Sequence, residues 1–381
     1  MNKLKRGDKS SKVPFAKAVA LLLGTTIGAG IFGMPYVFAQ SGFFIGIIHL
    51  LILGSVVLLV NLLVGEVTLR TKKIHMLAGY AGKYLGKWGK TLVALAAVFG
   101  IFGSMVAYII GEGEVLSIIF GGSPLFYSLL FFAFFASIIY FDLKAVAKSD
   151  LIFLVIMLGV VFIIAALGIP HINFANLASI NLSNFFLPYG VVLFALVGAS
   201  AIPEMKEELK NNKKSFKKAI FLGTVIPFVV YLIFTLVVVG ITGINTTEIA
   251  TVGLGETLGQ YMVLLGNLFA ALAMATSFIT VGLAMRWMLH YDYDIPKNLS
   301  WLITILVPLT IFLLGAKSFI GVIGLTGAVA GGVEGIPLML MAKAAKKKGE
   351  IKPAYSIPLS WFVVILISIL FLFGIFYEFL F

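Results

Sequence analysis

Apolar residues fill most of this chain in long runs, and polar residues are gathered into the short segments between them. A helix that crosses the hydrocarbon core of a bilayer needs about 20 mostly apolar residues. Runs close to this length predict eleven transmembrane helices. The predicted spans are 15–40, 43–69, 91–119, 124–141, 150–169, 185–205, 218–243, 259–289, 299–316, 318–342 and 357–380.

The first and the sixth predicted spans each contain a run that interrupts a helix. These runs are 24–30 (GTTIGAG) and 197–203 (VGASAIP). Unwound backbone at bilayer depth carries N–H and C=O groups that lipid cannot satisfy, so it persists only inside protein or along a cavity. A matched pair of broken spans is the best sequence indication of the binding site of a secondary transporter.

Composition supports an integral membrane protein. The chain is 61% hydrophobic and 12% charged, whereas a soluble domain is nearer half apolar and a quarter charged. No cysteine is present, which excludes disulfides, thiolate metal sites and cysteine nucleophiles. The basic N-terminus precedes an apolar run that is too long for a signal peptide and lacks a cleavage site, so we interpret it as a retained first span.

The distribution of charge predicts the orientation of the spans. With a cytoplasmic N-terminus and eleven spans, every one of the 28 basic residues except Lys317 falls in a cytoplasmic segment. Positive charge is retained on the cytoplasmic side of membranes. The net charge of +12 therefore indicates topology rather than binding to nucleic acid. We predict a protein of the plasma (cytoplasmic) membrane, in contact with lipid, with its C-terminus outside.

Two segments between spans carry features of their own. Residues 71–90 place tyrosines and a tryptophan among lysines, which suits an interfacial helix on the cytoplasmic face. In the outer loop 244–258, a short helix and an unstructured loop are equally consistent with the sequence.

The first ten predicted spans can be divided into two sets of five. Because five is an odd number, the second set must enter the membrane from the side opposite to the first. The two interrupted spans then occupy equivalent positions in two inverted halves. We predict a cytoplasmic tail at 1–14, a first repeat at 15–170, a second repeat at 185–342 and an eleventh span at 357–381 outside the repeat. This last span is expected at the periphery or at an oligomer contact.

The interrupted runs have chemistry that suits a zwitterion. Helix N-termini favour anions and helix C-termini favour cations, and no ionisable residue precedes Glu204 in either run. Gly28 and Gly30 would allow close approach of a ligand, although such glycines also serve tight helix packing. Phe194 is placed to cover a ligand, although it is one of 34 phenylalanines.

The eighth span and four carboxylates offer candidate cation sites. The hydroxyls of Thr276 and Ser277 could join carbonyls of Gly24 and Ile27 around sodium, or bond within their own helix. Intramembrane carboxylates are costly and often carry protons. The four intramembrane carboxylates are Glu66, Glu112, Glu114 and Glu334. Each of them could be a proton relay or have a structural role.

Several motifs resemble one family. The run GTTIGAGIFGMP at 24–35 resembles the first-span signature of the hydroxy/aromatic amino acid permease family, within the amino acid–polyamine–organocation superfamily. The segments ATSFITVGL at 275–283, IPEM at 202–205 and KKAIFLGTVIPFVVY at 217–231 also follow the family's pattern. The resemblance covers most of the chain and implies an all-α membrane protein with a LeuT-like fold, a five-plus-five inverted repeat with discontinuous first and sixth helices.

The resemblance also implies a site. It places the substrate carboxylate at residues 28–30, the amine at carbonyls near Phe194 and Ala195, and one sodium at an A-x-x-T-S pattern. The chain departs from relatives at Ala199, where many have histidine, and in having no lysine in the fifth span. Candidate substrate-binding residues are Thr25, Thr26, Gly28, Ala29, Gly30, Phe194, Ala195, Val197, Gly198 and Ala199; candidate sodium ligands are Gly24, Ile27, Ala273, Thr276 and Ser277.

We therefore predict a secondary transporter, and not an enzyme, that imports an aromatic or other neutral amino acid by symport with sodium or protons. The alternatives are an amino-acid-binding membrane sensor and a channel. A channel would require rings of charge or a carbonyl filter. An intramembrane enzyme is excluded because a cysteine or a His/Asp cluster at depth is lacking.

Overall fold

A computed structural model of the protein describes residues 7–141, 150–254 and 258–380. Within these ranges the chain forms α-helices, short 3-10 turns and two π-helical segments, and no strand. The first helices are α1 (Gly7–Thr26), α2 (Gly30–Ser41), α3 (Phe43–Arg70), α4 (Leu77–Leu85), α5 (Lys87–Phe120), α6 (Pro124–Tyr140) and α7 (Asp150–Gly168). The remaining helices are α8 (Pro188–Leu196), α9 (Ile202–Glu208), α10 (Phe216–Thr242), α11 (Ala250–Gly253), α12 (Gln260–Trp287), α13 (Lys297–Leu313), α14 (Phe319–Thr326), α15 (Gly332–Lys348) and α16 (Trp361–Leu380).

Each predicted span coincides with a helix or with an interrupted pair of helices. Eight described stretches are long and apolar enough to cross a membrane, and the bent pair of α1 and α2 adds a ninth. The other two, α6 and α13, have 17 residues each. Since about 17 residues is the lower limit for a span, the count of eleven stays a prediction. The last span begins at Trp361, four residues later than predicted.

The segments outside the spans agree in part with the sequence. Helix α4 lies inside the region predicted to hold an interfacial helix, and α11 forms one turn within the outer loop 244–258. Residues 255–257 of that loop lie outside the described residues. Helix α1 begins at Gly7, inside the predicted tail, and residues 1–6 also lie outside the described residues.

The two interrupted spans pack against each other at the centre of the protein. Helix α2 contacts α8 and α10, whereas α1 contacts α7, α9 and α10. Helix α8 also packs on α3, α14 and the π segment Gly327–Gly331. The interruptions therefore lie among packed helices, where unwound backbone is either enclosed by protein or lines a cavity.

Helix α16 packs on the outside of this assembly. Its buried residues recur at helical spacing and face α14, α15 and the π segment; they are Val364, Ile367, Phe371 and Gly374. Its other faces expose large apolar side chains such as Phe362, Ile369 and Phe376. Lipid accepts such surfaces, so the peripheral position predicted for the eleventh span is the one observed.

A buried carboxylate joins the end of α3 to the connector before α16. The Glu66 carboxylate accepts hydrogen bonds from Arg70 Nε, Ser356 Oγ and the Ile357 amide, each at 2.8 Å. Lys346 Nζ lies 3.3 Å from Glu66 Oε2 and also donates to the Ile357 carbonyl. We call these residues the Glu66 clamp. Of the two roles considered for Glu66, proton relay or structural anchor, these contacts favour the anchor.

An exposed ion pair lies beside the clamp. Glu350 Oε1 is 2.7 Å from Lys83 Nζ, and its other oxygen accepts from the Lys72 amide at 2.8 Å. The hydrogen bond from Lys83 lowers the pKa of Glu350. The pair ties the connector to α4.

Candidate functional site at two facing helix breaks

The first break separates α1 from α2 by a bend of 55°. The break covers residues 27–29. The Ile31 amide reaches the Gly28 carbonyl at 3.3 Å, and the Phe32 amide reaches the Ala29 carbonyl at 3.0 Å. The first amides of a helix have no intrahelical partner, so those of Ala29 and Gly30 are the donors that this break presents.

The second break separates α8 from α9. Val197 is extended, with φ −63° and ψ 126°, and a 3-10 turn at Ala199–Ala201 leads into α9. Pro203 stands in the first turn of α9. A proline lacks an amide and is best accommodated in the first turn of a helix, so Pro203 favours the start of a new helix at this point.

The two breaks are in direct contact. An ideal Cβ on Gly30 would lie 2.6 Å from the Cα of Ala195, and a Cβ on Gly198 would collide with Thr26 Oγ1. Two of the glycines are therefore required for close approach of the half-helices. The structure thus brings together four predicted site residues from opposite halves: Thr26, Gly30, Ala195 and Gly198.

Tyr231 on α10 joins the breaks. Its hydroxyl lies 2.7 Å from the Thr26 carbonyl and 2.9 Å from the Ala195 carbonyl, and its side chain is fully buried. A tyrosine hydroxyl has one proton, which is shared between the last turns of α1 and α8. Sequence reasoning gave Tyr231 no role, although its being the one tyrosine in an apolar span was an available signal.

Replacing Tyr231 with phenylalanine is expected to destabilise the protein by about 1–3 kcal/mol, because two buried carbonyls lose their shared donor. Thermal unfolding of the purified protein measures this change. The matched control is Tyr261→Phe, since Tyr261 is 90% exposed and its loss of a hydroxyl should leave the unfolding temperature unchanged. Equal unfolding temperatures for the two variants would contradict the role given to Tyr231.

One side of the first break is open. No heavy atom lies within 4 Å of an ideal Cβ on Gly28 or on Gly24. Thr25 is exposed, but its hydroxyl bonds the Leu21 carbonyl at 2.9 Å in its own helix. Thr26 Oγ1 is buried and has no hydrogen-bond partner in the described part of the chain. The free donors at the break are therefore the Thr26 hydroxyl and the amides of Ala29 and Gly30, whereas the Gly28 amide is hydrogen-bonded to Tyr231.

Other predicted residues of the second break face away from the first. Val197 and Ala199 line a small cavity toward α3 and α15, which also touches Gly198. Phe194 packs on the π segment, where a Cβ on Gly327 would lie 2.8 Å from the Phe194 Cβ. The prediction that all of these residues enclose one ligand stays untested.

The candidate sodium ligands lie on α12 and around the end of α1, and the prediction that they share one ion stays untested. Helices α1 and α12 both pack on α7, but the closely packed helix pairs of the described structure do not include α1 with α12. The Thr276 hydroxyl bonds the carbonyls of Leu272 and Ala273, at 2.9 and 3.1 Å. Hydroxyl and carbonyl oxygens are ligands that sodium prefers. In this structure, however, the Thr276 hydroxyl is already hydrogen-bonded to carbonyls of its own helix.

The chain matches the tryptophan/tyrosine permease family over residues 12–379. Glutamine transporter 2 of Aliivibrio fischeri is 24% identical over 345 residues, which is 87% of this chain and 89% of the relative. Tyrosine-specific transport system 1 of Haemophilus influenzae is 26% identical over 331 residues, 81% of this chain and 82% of the relative. The tryptophan-specific transport protein of Shigella flexneri is 24% identical over 364 residues, 87% and 86% of the two chains.

Solved structures show the fold. The inward-facing conformation of Mhp1 superposes with a TM-score of 0.63 at 12% identity, over 96% of this chain and 88% of that chain. The predicted all-helical LeuT-like fold is therefore confirmed, and so is the prediction of a membrane transporter rather than an enzyme. The chain belongs to the tryptophan/tyrosine permease family of membrane transporters.

Proposed function

We propose that this protein is a secondary transporter that imports a neutral amino acid, coupled to a cation gradient, by alternating access. The observation that carries the proposal is the contact of two broken spans joined by Tyr231. Gly28 borders open space beside this contact, which leaves room for a substrate carboxylate at the break.

Neutral amino acids suit this site because a zwitterion supplies both charges that half-helix ends can bind. The predicted ligand contacts of residues 24–30 and 194–199 include no charged side chain. The names of relatives specify glutamine, tyrosine and tryptophan. A substrate with an aromatic or amide side chain is consistent with both observations.

An asymmetry between the two sides of the site supports alternating access. Toward the predicted outer face, α11 packs on α2 and α12. There the Glu248 carboxylate accepts from Ser318 Oγ at 3.1 Å and from the Ile320 amide at 3.0 Å. In contrast, Gly24, Thr25 and Gly28 border open space. In alternating access, a second conformation would open the outer side of the site and close the side that is open here.

Thermal unfolding with each of the twenty amino acids tests the proposal. A ligand at about 100 times its dissociation constant stabilises the protein by about 2.7 kcal/mol. We expect stabilisation by one or a few neutral amino acids and none by lysine, arginine, aspartate or glutamate. Exclusive stabilisation by a charged amino acid would contradict the substrate class.

Uptake into proteoliposomes tests transport and its driving force. We expect a labelled amino acid from the thermal panel to accumulate above its external concentration when a sodium or a proton gradient is imposed. Tight binding without flux would indicate a sensor, and single-channel currents would indicate a channel. Absence of concentrative uptake under either gradient would overturn symport.

A further inference from the structure

A small cavity lies behind the second break, on the side away from the first break. It has a volume of about 40 Å³ and lies between α3, α15, α16 and the unwound backbone of the sixth span. Since a water molecule needs about 10–15 Å³ of such volume, a cavity of about 40 Å³ has room for about three or four. Its lining residues are Val57, Val60, Asn61, Leu193, Val197, Gly198, Ala199, Gly331, Glu334, Gly335, Leu338 and Phe371.

Glu334 is the one titratable residue in this lining, and it lies near the middle of the stretch Phe319–Lys348. The described part of the chain gives its carboxyl group neither a hydrogen bond nor an ion pair. The nearby amide of Asn61 donates to Thr224 Oγ1 at 3.1 Å instead. An isolated carboxylate at this depth is strongly unfavourable unless it binds a proton.

Two basic residues of the same helix are engaged elsewhere, and Lys347 and Lys348 lie at its far end, outside the cavity lining. Lys346 belongs to the Glu66 clamp, and Lys343 Nζ lies 4.1 Å from the centre of the Trp361 ring. None of the titratable or charged groups on the elements packed around α15 lines the cavity. These groups are His49, Glu66 and Arg70 on α3; Tyr80, Lys83 and Tyr84 on α4; Lys87, Lys90, Tyr108, Glu112 and Glu114 on α5; and Tyr377 and Glu378 on α16.

The cavity is linked to the second helix break by direct packing of the π segment on α8. Gly331 is the last residue of the π segment, which packs on α8, and Gly327 in that segment closely approaches Gly190 and Phe194. Single turns of π-helix are frequent at functional positions. A shift of the second break would therefore change the space and the polar groups around Glu334, and through them the relative stability of its charged and neutral forms.

We propose that Glu334 binds the proton that this protein moves together with its amino acid, which rests on the transport function proposed above. A Glu334 carboxylate oxygen accepts one proton from water on the outer side. After the second break rearranges, the same O–H bond breaks and the proton passes to water on the inner side. One proton and one amino acid then cross together, and Glu334 returns to its starting state.

The test uses the full-length protein in sodium-free proteoliposomes that contain a pH-sensitive dye. The probes are L-tyrosine, L-tryptophan and L-glutamine, followed by any other amino acid that the thermal panel identifies. With the wild type, adding substrate outside should acidify the lumen, and an acidic external medium should drive accumulation. With Glu334→Gln, both effects should fall at least tenfold, while exchange of external label for internal unlabelled substrate persists.

Two further variants make the test specific. Glu334→Asp retains a carboxyl group and should retain measurable acidification, whereas Glu350→Gln removes an exposed carboxyl group outside the cavity and should behave as the wild type. Wild-type acidification by Glu334→Gln, or wild-type uptake driven by sodium alone, would overturn the role of Glu334 and leave amino acid transport intact. Absence of both uptake and exchange in the wild type would instead contradict the transport function.

Discussion

Replacing Gly30 with leucine is expected to reduce amino acid uptake to less than a tenth of the wild-type rate. A Cβ at this position would lie 2.6 Å from both the Cα and the Cβ of Ala195. Backbone of a neighbouring half-helix cannot move aside as the end of a flexible side chain can. The two breaks would be wedged apart, at a cost of about 1–3 kcal/mol for overpacking, and the contact bridged by Tyr231 would be lost.

The matched control is Gly159→Leu. Gly159 lies on α7, is exposed, and has no heavy atom within 4 Å of its ideal Cβ. The same substitution there should leave uptake and unfolding temperature unchanged. A third variant, Gly28→Leu, separates packing from binding because Gly28 also borders open space. It should remain folded and lose binding, and wild-type uptake by either Gly28→Leu or Gly30→Leu would contradict the site.

Replacing Glu66 with alanine is expected to destabilise the protein by about 3 kcal/mol, near the lower end of the range for breaking a buried ion pair. The carboxylate is 1% exposed, and its removal leaves the Ile357 amide and the Ser356 hydroxyl without their acceptor. Arg70 and Lys346 side chains are 17% and 25% exposed, so water compensates part of the loss. Thermal unfolding in detergent measures the effect.

Glu350→Gln is the control for the clamp. Glu350 belongs to the same connector but is far more exposed than Glu66, and exposed ion pairs contribute little to stability. Its variant should unfold close to the wild-type temperature. If Glu66→Ala and Glu350→Gln shifted the unfolding temperature equally, the Glu66 clamp would not be the anchor described above.

The sequence was informative about the spans because the rule that governs them is local. A bilayer demands a run of apolar residues of a certain length, and each of the eleven predicted runs has a helix at its position. The breaks were visible for a related reason. Glycines around Ile27 and a proline at position 203 weaken a helix through the backbone of a few neighbouring residues.

The sequence was less informative about side chains that act across the structure. The Tyr231 hydroxyl bonds the carbonyls of Thr26 and Ala195, which lie 205 and 36 positions earlier in the chain. No local sequence pattern encodes contacts over such separations. Glu66 and Glu334 are both carboxylates within apolar spans, so hydropathy treats them alike. The structure separates them, because one meets four donors and the other meets a cavity without a partner.

The sequence by itself determined that the chain is a membrane protein, where its helices lie and where two of them break, because hydropathy and backbone chemistry act within a few residues. Only the tertiary structure decided that the breaks face each other through Gly30 and Ala195, that Tyr231 bridges them, and that Glu334 lies in a cavity behind the second break. Those outcomes depend on the rotation and tilt of each helix. Packing against neighbouring helices sets both, and the number of apolar residues does not.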